Sequence, residues 1–362
     1  MTGPSSLKLL AETQSDHLYK HVEWTPDGTS LLTSSTDNRI CTYIIPPDLL
    51  EERSEPLTIE PYSTVTSASA VNALACYPGY DLDRPESAVV LSAPNDEPIR
   101  LNSALTSQKL AAFPLTNAYT EAYTRVHALT FSYDGTSFIA GSANMLAIFD
   151  VSRSGEGPNM TRQLGPRRMQ SHWSTPTTAL RGIVSAFAIE SQRNMLAAGT
   201  LDRQIGIYAS AGQGECCATL FLAGSEADRE GRGSGVTQVC WSSCGRYLYA
   251  AERQSDSIVV FDVRKTSGPL SWASGRKAQT NQRMTFQLTY NDTTGQEEIW
   301  AGGLDGRIRC WHNLTTSIGS VLPTCEIHVG QGTFHIRFSK NQLLTALKVM
   351  STVCRYIFKL ES

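Results

Sequence analysis

No apolar run in this sequence approaches the roughly 20 residues that cross a bilayer as a helix. Neither end carries a lipidation signal, and the segment from Met1 to Ser6 lacks an apolar signal region. A protein without membrane contact, in the nucleus or the cytoplasm, is the expectation. An excess of positive charge is also missing, with 31 Lys and Arg against 34 Asp and Glu, a formal charge of −3 and a pI near 6.2. That balance excludes the basic surface many nucleic-acid binders carry, so any RNA contact must be a local patch. The nine cysteines are odd in number and contain no C-x-x-C pair, which points to free thiols in a reducing compartment and no metal centre. H-E-x-x-H, G-x-S-x-G and Gly-rich phosphate loops ending in Gly-Lys-Ser/Thr are absent too. No catalytic residue, cofactor or small-molecule substrate is therefore expected, and the chain reads as a non-enzyme.

A hydrophobic content of 41% with 18% charge is enough for a large core. Length alone suggests more than one domain, but closed all-β rings are exceptions, so internal repeats decide. His21-Val22-Glu23-Trp24-Thr25-Pro26-Asp27-Gly28 has the element order of Ala128-Leu129-Thr130-Phe131-Ser132-Tyr133-Asp134-Gly135. Val239-Cys240-Trp241-Ser242-Ser243-Cys244-Gly245 repeats it with cysteine for aspartate. A strand end, a turn whose glycine tolerates positive φ, and a second strand make a hairpin. Each repeat continues through a polar turn into a strand ending in an aromatic: Asp37 to Tyr43, Asn144 to Phe149, Asp202 to Tyr208, Asp256 to Phe261, Asp305 to Trp311. Anchors at Trp24, Cys76, Phe131, Ile189, Trp241, Phe286 and Phe338 count seven units. The fold class is therefore all-β, a seven-bladed WD40-type β-propeller with degenerate repeats. One domain over residues 1–362 is expected, with a first blade from about 18 and a last blade over about 328–360. The ring is expected to close through an N-terminal strand near Ser6 to Ala11, which would remove exposed edges.

Long segments between strands fall in loops, often on the binding face of a repeat array. Two are basic. Ser152 to Gly182 holds Arg153, Arg162, Arg167, Arg168 and Arg181 against the single acid Glu156, and Arg264 to Arg283 holds Arg264, Lys265, Arg276, Lys277 and Arg283 against none. Guanidinium forks pair with phosphate, while Trp173, Trp272, Gln279, Asn281 and Gln282 offer stacking and amide contacts. The same loops could simply be solvated. The histidines stand singly, with His21, His127 and His335 at predicted inner strands, and the vicinal pair Cys216-Cys217 reads as two strand residues facing opposite ways.

Several stretches then carry a resemblance. Phe261-Asp262-Val263-Arg264, Pro269-Leu270-Ser271-Trp272 and Thr280-Asn281-Gln282-Arg283-Met284-Thr285-Phe286 resemble a blade junction of the telomerase Cajal body protein family of WD-repeat proteins and its fungal relatives linked to spliceosomal RNPs. Gly182-Ile183-Val184-Ser185-Ala186-Phe187-Ala188, Ser234 to Trp241, and Trp24-Thr25-Pro26-Asp27-Gly28 with Ile45-Pro46-Pro47-Asp48-Leu49 are similar to the family at corresponding places. The resemblance implies recognition of small nuclear or Cajal-body RNAs, telomerase RNA among them in animals. It also implies RNP or spliceosomal protein partners, and a place in the nucleus or its Cajal bodies. The long N-terminal extension and Pro-rich tail of the animal members have no counterpart here, so contacts made there are not carried over. The RNA-binding candidates are Arg264, Lys265, Trp272, Arg276, Lys277, Asn281, Gln282, Arg283, Arg167 and Arg168. The other reading is a protein-only scaffold, which predicts binding with a shallow salt dependence.

Overall fold

The computed structural model describes residues 6–165, 180–291, 295–329, 334–338, 343–348 and 353–361. After β1 (Ser6–Ser15), the chain lays down blade one as β2 (Tyr19–Trp24), β3 (Ser30–Ser35), β4 (Arg39–Ile44) and, after a short β5 (Leu57–Thr58) that joins the sheet of β1, β6 (Ser63–Thr66). Blade two is β7 (Val71–Cys76), β8 (Val89–Pro94), β9 (Ile99–Ser103) and β10 (Lys109–Phe113). Blade three is β11 (Ala128–Phe131), β12 (Ser137–Ser142), β13 (Met145–Asp150) and β14 (Met160–Gln163). Blade four is β15 (Val184–Glu190), β16 (Met195–Thr200), β17 (Gln204–Tyr208) and β18 (Cys216–Phe221), followed by the short helix α1 (Glu226–Gly231). Blade five is β19 (Val236–Trp241), β20 (Tyr247–Glu252), β21 (Ile258–Asp262) and β22 (Ser271–Ala273). Blade six is β23 (Phe286–Asn291), β24 (Gln296–Gly302), β25 (Arg307–Trp311) and, after the short β26 (Gly319–Val321) that joins the sheet of blade five, β27 (Cys325–His328). Last come β28 (Phe334–Phe338), β29 (Leu343–Lys348) and β30 (Val353–Glu361).

Each blade is an antiparallel meander, and β28, β29 and β30 form the seventh sheet with β1, which runs antiparallel to β30. Two blades carry an extra parallel strand at the rim: β5 lies against β1, and β26 lies against β22.

The repeated hairpin turn has a local cause. A hydroxyl just after the inner strand, on Thr25, Ser132 or Ser242, accepts the backbone N–H that opens the next strand, each at 3.0 Å. The first two hydroxyls also donate to Asp27 and Asp134, and these bonds help hold both carboxyls below the usual aspartate range. Cys244 stands in the third aspartate position, beside Ser242. Gly28, Gly135 and Gly245 take φ of 77°, 71° and 64°, the left-handed region that a side chain resists.

Tyr43, Phe149, Tyr208, Phe261 and Trp311, the aromatics that close the third strands, are all at most 4% exposed and wedge between neighbouring sheets. In blade three Phe138 and Phe149 stack with centroids 4.8 Å apart, and Phe113 of blade two meets Phe138 edge-on at 5.0 Å. Burial of such rings at about 25 cal/mol per Å² supplies the cohesion that the eroded polar repeat residues do not. One anchor differs from expectation. Phe286 opens β23 instead of closing it, because the linker before it runs straight into the inner strand.

Candidate functional site

The inner strands line a central cavity of about 600 Å³, with Lys20, Asn72, Ser185, Thr237 and Arg283 on its wall. The ladders of β2, β7, β15 and β19 each slip by one residue near the start, at Lys20, Asn72, Ser185 and Thr237. Such bulges re-aim side chains and free backbone groups at the rim of a sheet. Four blades thus present an irregular backbone to the same end of the channel.

At that end β23 begins, and the linker that feeds it, residues 274–285, is pinned to both blades it joins. The Arg276 and Ala278 N–H groups donate to the Asp256 carbonyl at 3.1 Å and carboxylate at 2.5 Å, and the Gln254 N–H donates to the Thr280 carbonyl at 2.9 Å. On the blade-six side the Leu304 N–H donates to the Lys277 carbonyl at 2.7 Å. The linker is therefore a fixed platform.

Arg283 projects from this platform across the channel mouth. Its Nη2 donates to the Ser185 carbonyl at 2.5 Å and to the His127 carbonyl at 3.4 Å, so one guanidinium ties together blades three, four and six. Both acceptors are neutral. Burial, reinforced by the nearby Arg253 cation, pushes the Arg283 pKa down. His127 is lowered by burial and by the cations of Arg125 and Arg283. Arg253 donates from Nη2 to the Ser234 carbonyl at 3.0 Å and leaves a buried Nε with no partner among the described residues. Arg125, Arg253 and Arg283 form no ion pair among the described residues, so Arg125 and Arg283 bear on one imidazole and Arg253 on Arg283 with no carboxylate paired to any of the three.

The candidates read from the sequence divide. Strand directions put the start of β19, the end of β20, the start of β21, the end of β22 and the start of β23 on one face of the ring. Lys277, Asn281, Gln282 and Arg283 lie on this linker face; Lys277 and Asn281 are exposed, and Gln282 joins Arg283 on the channel wall. Arg264 and Lys265 follow the other end of β21 and so occupy the opposite face, where Arg264 is held by Asp262 at 2.7 Å. Trp272 is buried in blade five with its Nε1 donating to Glu230 at 2.6 Å. Arg276 is fully buried, donates from Nη2 to the Thr285 carbonyl at 2.9 Å, and is pushed down to about 10 by burial against the pull of Asp256. In this structure neither offers a surface to a ligand. Arg167 and Arg168, with Trp173, lie outside the described residues. Sequence reasoning missed Arg125 and Arg253, whose only local signal is a position at the end of a linker or blade turn.

Comparison with known proteins agrees with this architecture. The family described as "Lactonase, 7-bladed beta-propeller" matches residues 182–294, a likeness of fold over part of the chain. Guanine nucleotide-binding protein negative regulator 1 of Schizosaccharomyces pombe is 31% identical over 294 residues, which cover 80% of this chain and 69% of that protein. Human Telomerase Cajal body protein 1 is 27% identical over 301 residues, 83% of this chain and 50% of its own length, so the chain spans about half of that relative. Protein SWT21 of Kluyveromyces lactis is 25% identical over 313 residues, covering 83% of this chain and 70% of that protein. By sequence and architecture, the chain belongs to the family of WD-repeat propellers that includes the telomerase Cajal body proteins and their fungal relatives.

Proposed function

We propose that this propeller is a non-catalytic RNA-binding protein of the nucleus. It takes small nuclear or Cajal-body RNAs on its linker face and serves their localisation or RNP assembly alongside RNP or spliceosomal proteins. The observation that carries this reading is Arg283, a guanidinium bound only to neutral carbonyls at the channel mouth, with Arg125 and Arg253 close enough to act on it or on His127. Clustered cations without carboxylates are costly unless an anion completes them, and a phosphodiester fits that need. Exposed Asn281 and Lys277, with half-buried Gln282, stand beside them to meet base edges and further phosphates. The relatives' names supply the RNP setting.

The test compares retention of a pool of small nuclear RNAs at about 50 and 200 mM salt. Wild type is run beside Arg125→Gln/Arg253→Gln/Arg283→Gln and Arg264→Ala/Lys265→Ala. The triple variant is expected to lose at least about tenfold in affinity, a little over 1 kcal/mol, and much of the salt dependence. The opposite-face double variant should stay within about twofold. Equal binding by wild type and the triple variant would refute the surface, and no RNA retention by wild type would leave the protein-only scaffold.

A further inference from the structure

The face of blade six that does not pack on blade five carries an unusual set of side chains. Ile299, Ala301 and Trp311 point toward blade five and join its core. The alternate residues of β24 and β25 therefore share the other face, and the ladder places Trp300 opposite Cys310 and Ile299 opposite Trp311. By the same register Glu298 stands opposite His312.

The Glu298 carboxylate, Cys310 thiol and His312 imidazole offer ligand atoms that all lie within 4.8 Å of one another. His312 Nε2 is 3.3 Å from Glu298 Oε1, and Cys310 Sγ is 3.9 Å from Glu298 Oε2. Ligands about 2.0–2.3 Å from a tetrahedral zinc stand about 3.3–3.8 Å apart, so the group is near that spacing. Asn291 Nδ2 donates to Glu298 Oε1 at 2.5 Å and Trp300 Nε1 to Oε2 at 3.3 Å, the outer contacts that orient a ligating carboxylate. Cys310 is fully buried, while the His312 side chain is 36% exposed, which leaves a route from solvent. Cys325 is the ladder partner of Cys310 on β27 and shares its face.

We propose that Glu298, Cys310 and His312 bind a structural zinc ion, with Cys325 or a water as fourth ligand. A thiolate, an imidazole and a carboxylate form a mixed set suited to zinc, and a hard cation such as magnesium or calcium would not choose it. The ion would tie the two central strands of blade six together near the rim. This rests on none of the residues of the channel mouth and is independent of RNA binding.

The full chain, purified without chelator and dialysed against metal-free buffer, is expected to retain about one zinc per chain by elemental analysis. Cys310→Ser and His312→Gln should lose it, whereas the exposed controls Cys217→Ser and His328→Gln should keep it. Replacing the zinc by cobalt reads the ligands directly and needs no variant. A thiolate-to-cobalt charge-transfer band is expected, with an intensity that separates one thiolate from two. Wild type that takes up no zinc beyond Cys310→Ser, or that binds cobalt without a thiolate band, overturns the proposal.

Discussion

Arg264 and Arg283 bracket one segment of chain yet live under opposite electrostatic regimes. On the turn face the arginines are answered locally: Arg264 by Asp262 at 2.7 Å, Arg84 by Asp81 at 2.8 Å, and Arg53 and Arg153 by acids a few residues away. On the linker face the acids are spent elsewhere. Glu252 accepts Arg203 Nε at 2.7 Å and Nη2 at 2.9 Å, Asp228 takes Nη2 at 2.6 Å, and Arg309 is clamped between Asp305 and Glu326. Arg125, Arg253 and Arg283 make only hydrogen bonds to neutral carbonyls, or none, among the described residues. A cation matched inside the fold is structural, and a cation left unmatched where the backbone is rigid is available to a ligand.

Three experiments press on this comparison. The largest effect belongs to the matched arginine. Glu252→Ala takes from Arg203, whose side chain is 17% exposed, the carboxylate that accepts both Nε and Nη2 and leaves it Asp228 alone, and should lower the unfolding free energy by about 2 kcal/mol in denaturant titration; a loss below about 1 kcal/mol would make that network no more than a surface pair. Next comes the unmatched one. Arg283→Gln should change stability by no more than about 1 kcal/mol, since it exchanges bonds to two neutral carbonyls, but should reduce the salt slope of RNA binding by about one. Similar stability losses in both variants would erase the distinction. The smallest effect is on His127. Its imidazole is held below the ordinary range by burial, then by Arg125 and Arg283. Because the unfolded chain takes up that proton first as pH falls, this contribution to stability is full above about pH 6.5 and is lost as the pH drops from there through the folded value. NMR titration should show the His127 pKa rising in Arg283→Gln, and an unchanged value would separate the two side chains.

The blades were legible because their signals are local. A hydroxyl, an aspartate and a glycine at set offsets make the same turn wherever they occur, as Thr25-Asp27-Gly28 and Ser132-Asp134-Gly135 do. The buried aromatic at the third strand's end is likewise readable from one residue and its alternation. The candidate site was legible only in part. A basic stretch looks the same in sequence whether its arginines face solvent, a core or a channel, and β21, β22 and their loops send Arg264 to one face, Arg276 into the interior and Arg283 to the other face. Arg125 and Arg253 were missed because each is a single cation in an ordinary loop, and only the ring brings Arg253 near Arg283 and both Arg125 and Arg283 near His127.

Glu298, Cys310 and His312 show the same divide. The alternation Cys310-Trp311-His312 already puts the first and third side chains on one face of a strand, but the carboxylate comes from a neighbouring strand whose register the sequence does not print. What the sequence alone determined is the blade: its turns, its strand ends and its apolar alternation, all set by contacts between residues a few positions apart. Only the tertiary structure decided which charges are cancelled and which are left over. Desolvation and ion pairing depend on neighbours brought in from distant blades, and no local spacing encodes them.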